Sequence, residues 1–140
     1  MIYTLDGLYL VAAAGSEVLV YNSEEGELFR SLKAHKDSVI CLCPLRGNGF
    51  ASGGADKQVI IWGSNLEGIL KYSHNDNIQA LAQSPTSNTI LSCSTSDFGL
   101  WSPDVKFVNK TKVTSLMNLD LTIHFPRKAY VVLCVLNYII

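Results

Sequence analysis

His35, Ser52 and Asp56 are the residue types of a nucleophilic hydrolase, and they fall close together in the chain. In such an enzyme the serine attacks a carbonyl carbon, the histidine takes its proton and the aspartate holds the imidazole. The chemistry also needs donors for the developing oxyanion and a cleft for the substrate. No serine here sits in the Gly-x-Ser-x-Gly turn that exposes such a nucleophile in many hydrolases. A structural alternative uses the same residues, as polar side chains that brace a turn by hydrogen bonding. Similar residues recur further along the chain, which favours the second reading, and no catalytic residue is expected.

The pair Cys41-x-Cys43 could begin a zinc site, but no second Cys or His pair lies at ligand spacing. The two are read as small residues on opposite faces of an inner strand, with Cys93 and Cys134 as core fillers. Gly47-x-Gly49 and Gly53-Gly54 lack the Gly-Lys-Ser/Thr of a phosphate loop and read as turn glycines. Lys33, His35, Lys36 and Lys57 form a modest basic scatter on a solvated face, and His124 reads as a loop residue. No metal and no cofactor is expected.

The elements that carry these residues are short. Runs of β-branched, aromatic and aliphatic residues alternate with turn residues, and few segments show helical periodicity. The pattern predicts strands at Leu8–Ala13, Glu17–Tyr21, Glu27–Leu32, Ser38–Cys43, Gly49–Gly53, Gln58–Trp62, Gly68–Tyr72, Ile78–Gln83, Thr89–Ser94, Phe98–Trp101 and Val105–Val108. The chain has 140 residues, 48% hydrophobic and 16% charged, enough apolar material for one packed domain. A net charge of −1 argues against a nucleic-acid partner, because phosphate contacts need many Lys and Arg. The first residues hold no basic segment followed by an apolar core, so no secretory signal is expected and the thiols are expected reduced. The apolar run from Ala129 to Ile140 falls short of the roughly 20 residues a spanning helix needs, so no membrane insertion is expected.

The spacing of landmarks selects among all-β folds. His35 and His74 are 39 residues apart, Asp56 and Asp97 are 41 apart, and Trp62 and Trp101 are 39 apart. Glu25-Gly26 and Glu67-Gly68 open equivalent strands. A period of about 40 to 45 residues with four strands per unit is the signature of a β-propeller.

Ala34-His35-Lys36, Phe50-Ala51-Ser52-Gly53-Gly54-Ala55-Asp56-Lys57 and Val59-Ile60-Ile61-Trp62 resemble a unit of the WD-repeat family. Ala34 stands where the family usually has Gly, and Gly63 where it usually has Asp. His74, then Leu91 to Asp97, then Phe98-Gly99-Leu100-Trp101 resemble the next unit, and Leu8 to Tyr21 a preceding one with Tyr21 at the tryptophan position. The resemblance implies an all-β partial WD-repeat propeller over 1–112, about two complete blades plus a partial one. Blades fall near 1–32, 33–73 and 74–112, followed by a divergent hydrophobic tail over 113–140. It also implies a hydrogen-bonded network of His35, Ser52, Asp56 and Trp62. In the next unit Cys93 stands at the serine position, so His74, Asp97 and Trp101 are expected to form a partial network in a looser blade.

The stretches Leu66 to Asp76, Ser96 to Pro103 and Ala12 to Tyr21 resemble, within that family, the amino-terminal propeller of ciliary intraflagellar transport complex A subunits. That likeness implies a protein-interaction scaffold, not an enzyme. It would hold complex A subunits and ciliary cargo, act in retrograde transport and cilium assembly, and work in the cytoplasm, the cilium and the ciliary base. The alternative is a WD-repeat substrate receptor of another complex, such as a ubiquitin ligase.

Overall fold

Turn residues interrupt the apolar runs every few positions, so no segment is long enough for anything but short strands joined by hairpins. The computed structural model describes residues 1–86 and 88–101. The described residues form eleven strands and no helix. The first antiparallel sheet holds β1 (Ile2–Tyr3), β2 (Tyr9–Ala14), β3 (Glu17–Asn22) and β4 (Leu28–Lys33) in chain order. The second holds β5 (Val39–Leu45), β6 (Gly49–Gly54), β7 (Gln58–Trp62) and β8 (Gly68–Ser73). The third holds β9 (Ile78–Gln83), β10 (Ile90–Ser94) and β11 (Phe98–Trp101). These are consecutive blades of a partial β-propeller. The predicted strand Val105–Val108 and the tail 113–140 lie outside the described residues. The strand β1, two residues long, has no sequence signal of its own.

The register equates positions among blades. Leu10 pairs with Tyr21, Phe50 with Trp62 and Ile90 with Trp101. Strand side chains alternate between faces, so each blade has a front face with these residues and a back face with their neighbours. Val11, Val18, Val20 and Leu32 from the back of blade 1 pack with Phe50, Ile60 and Trp62 from the front of blade 2. Ala51, Val59, Ile61 and Tyr72 from the back of blade 2 pack with Ile78 and Ile90 of blade 3. Blade 2 is thus covered on both faces, and every residue of β6 is buried.

Cys41 and Cys43 are not on opposite faces. They pair with Gly53 and Ala51 and both line the seam with blade 3, because residues two apart on a strand share a face. Burial, with Cys43 nearby, pushes the Cys41 thiol up to about 12, the state of a core residue. No group of three or more metal-ligating side chains occurs among the described residues.

Candidate functional site

Asp56 sits in the turn from β6 to β7, and His35 sits between β4 and β5. The β6 strand carries Ser52 outward to meet them, and β7 ends at Trp62. The structure brings these four together. Asp56 Oδ1 accepts from His35 Nδ1 at 2.9 Å, and Asp56 Oδ2 accepts from the Lys36 amide at 2.9 Å. A carboxylate only accepts, so the proton of the imidazole is on Nδ1 and Nε2 is the free acceptor. Ser52 Oγ lies 2.8 Å from that Nε2 and donates to it. Trp62 Nε1 in turn donates to Ser52 Oγ at 2.9 Å. Protons therefore run one way, from indole to hydroxyl to imidazole to carboxylate.

Burial pushes the Asp56 carboxyl up. The Lys36 amide, His35 and the Gln58 amide outweigh it and hold the group below the usual carboxylate range. Gly54 is part of the arrangement. A Cβ there would stand 2.5 Å from Asp56 Oδ1 and 2.7 Å from His35 Nδ1. Only a residue without a side chain lets the pair lie against β6.

This geometry is unsuited to acyl transfer. Ser52 is fully buried, and its oxygen is occupied by His35 and Trp62. No substrate carbon can reach it. Such a network instead fixes the turn, the strand and the interblade linker relative to one another.

Blade 3 repeats the set with changes. Asp97 Oδ1 accepts from His74 Nδ1 at 3.0 Å, and Asp97 Oδ2 accepts from the Asn75 amide at 3.2 Å. The serine is not replaced by Cys93: Ser92 Oγ lies 2.7 Å from His74 Nε2 and is fully buried. Equating the serines by their distance from the aspartate selects Cys93, whereas the strand register equates Ser92 with Ser52. Both blades carry a register shift at this place, between Gly53 and Gly54 and between Cys93 and Ser94, and what differs in blade 3 is that the turn holds one more residue before its aspartate. Ser94 occupies the position of Gly54 and donates its hydroxyl to Asp97. Burial pushes the Asp97 carboxyl up, and Ser94, His74 and the Asn75 amide together bring it below the usual range.

Tyr72 was not anticipated at this site. Its phenol oxygen is buried beside the Ser92 hydroxyl. Its ring lies 6.2 Å from that of His74. Tyr72 belongs to β8 of blade 2, so the third blade's network reaches across the seam. Trp101 is placed by the pairing of β11 with Ile90, and the part expected of its side chain lies outside the described residues.

The sequence of the chain matches the family described as IFT122 first beta-propeller over residues 1–121. It is 55% identical over 111 residues to the Intraflagellar transport protein 122 homolog of Xenopus tropicalis, 54% to that of Danio rerio and 55% to that of Homo sapiens. Each alignment covers 79% of this chain and 9% of the relative, so the matched part is a small fraction of those proteins.

Proposed function

The chain belongs to the family of the IFT122 first beta-propeller, and on that premise we propose that it is a protein-interaction scaffold of the intraflagellar transport machinery. In this reading it forms part of a complex A subunit that acts in retrograde ciliary transport and cilium assembly. Its partners are other complex A subunits and ciliary cargo, met at the cilium, its base and the adjoining cytoplasm. The match over residues 1–121 carries the reading. The geometry agrees with it: the polar groups of the two networks face one another inside the blades, which leaves loops and rims as the surfaces that contact partners.

Proximity labelling of the tagged chain in ciliated cells tests the proposal. Enrichment of intraflagellar transport subunits over a tag-only control is expected. Enrichment of ubiquitin-ligase components without them would replace the reading with that of a substrate receptor.

A further inference from the structure

A short loop, Arg46-Gly47-Asn48, joins β5 to β6. Two of its residues take the left-handed backbone that closes a tight hairpin, Gly47 at φ 79° and Asn48 at φ 63°. Asparagine is one of the few residues with a side chain that enters this region readily. Gly49 is constrained for a different reason. A Cβ there would stand 2.2 Å from the Trp62 carbonyl oxygen, so β6 lies this close to β7 only with glycine at that position. The fold therefore sets Asn48, exposed at the turn, directly before an obligatory glycine.

That neighbourhood is chemically labile. Of the nine asparagines in the chain, Asn48 alone precedes a glycine. After each of the others comes a residue whose side chain crowds the peptide nitrogen. Asn22 and Asn65 are also held in their turns. Asn22 Oδ1 accepts from the Glu24 amide at 2.9 Å, and Asn65 bonds Glu67 at 2.8 and 3.2 Å. Among the described residues no hydrogen bond holds the Asn48 side chain.

We propose that Asn48 is a site of spontaneous deamidation, with an isoaspartyl linkage among its products. The Gly49 amide nitrogen gives its proton to solvent base and attacks the side-chain carbonyl carbon of Asn48. A C–N bond forms there, and the bond to the side-chain nitrogen breaks. That nitrogen takes a proton from solvent and leaves as ammonia. Water then opens the succinimide at either carbonyl, giving aspartate or isoaspartate at position 48. Gly49 pairs with Leu45 at the first rung of the ladder, so attack follows local opening of the turn, which costs less than global unfolding. The isoaspartyl product inserts one atom into the backbone immediately before the residue packed on the Trp62 carbonyl. It also lies two residues from Arg46, whose amide joins blade 3 through Gln83. The inference is independent of any ciliary partner.

Peptide mapping of the full 140-residue chain by mass spectrometry, after storage at body temperature over a range of mildly alkaline pH, tests it. Conversion at Asn48 should outpace that at every other asparagine by at least about tenfold. The rate should rise with pH, because the attacking nitrogen must lose its proton. Asn48→Gln disfavours the five-membered ring and should abolish conversion at this position, with circular dichroism checking its β signal. Asn48→Asp adds the charge without the extra backbone atom. Hydrogen exchange should find β6 and β7 still protected in that variant and less protected in the isolated isoaspartyl form. Conversion at Asn48 no faster than elsewhere, or seen only after unfolding in urea, would overturn the proposal. Unchanged protection in the isoaspartyl form would overturn the consequence assigned to it.

Discussion

Blades 2 and 3 solve one problem in two ways. In blade 2 the aspartate follows Ser52-Gly53-Gly54-Ala55, and the missing side chain at Gly54 lets His35 and Asp56 lie directly against the strand. In blade 3 the corresponding stretch is Ser92-Cys93-Ser94-Thr95-Ser96, and Ser94 fills that space with a hydroxyl that itself binds Asp97. The extra turn residue compensates for the added bulk. The Asp56 side chain is 5% exposed and that of Asp97 30%. The surroundings of the buried serine also differ. In blade 2 Trp62 of the same blade donates to it, and in blade 3 Tyr72 of the preceding blade lies beside it. One network is closed within its sheet, and the other is stitched to its neighbour. The lesson is that the histidine–aspartate pair tolerates a change of turn length provided that something, glycine or serine, fits beneath it.

The largest test of that contrast is Trp62→Ala. It removes a buried indole that stacks against Phe50 and anchors Ser52, and should cost about 3–5 kcal/mol in urea unfolding. A loss below about 1 kcal/mol would show that blade 2 does not depend on its own tryptophan.

Exchanging the residues beneath the two pairs sharpens the comparison. Gly54→Ser places atoms where His35 and Asp56 lie and should cost about 1–3 kcal/mol. Ser94→Gly removes one hydroxyl from a partly exposed carboxylate and should cost about 1 kcal/mol or less. Equal losses would mean that the space at Gly54 is not what separates the blades.

Tyr72→Phe deletes only the phenol that reaches Ser92 and should cost about 1 kcal/mol. Hydrogen exchange should locate the effect in β10 while β6 keeps its protection. Loss spread evenly over both blades would contradict the stitched arrangement.

Acid supplies the mildest test. Asp56 and Asp97 both sit below their ordinary pKa in the folded chain. Their contribution to stability is therefore complete above about pH 4, the unfolded value, and is lost as pH falls through the lower folded values. Asp56→Asn should flatten that acid limb, and an unchanged slope would assign the acid sensitivity elsewhere.

The sequence made much of this legible. The alternation of β-branched runs with turns located ten of the described strands to within a residue or two, because strands half or fully buried must be apolar with period two or continuous. The landmarks His35, Asp56 and Trp62 were readable because they recur. Three features were hidden. Ile2–Tyr3 is too short to leave a pattern. Ser92 was masked by counting back from an aspartate that had moved, although its offset of 40 from Ser52 lies between the 39 of the histidines and the 41 of the aspartates. Tyr72 looked like an ordinary strand aromatic, since its partner comes from another blade, and no local spacing encodes a contact across a seam.

The two seams join blades that are neighbours in sequence. The Val39 amide donates to the Gly15 carbonyl across the first at 2.7 Å, and the Arg46 amide donates to Gln83 Oε1 across the second at 2.8 Å. Seen in time rather than space, each blade finds its cover one repeat later as the chain emerges from the ribosome. Loop closures of this length are short, and assembly can advance one unit at a time without waiting for a distant segment. The order of synthesis is then also a workable order of folding, and the apolar face exposed at any moment is the landing site for the residues made next.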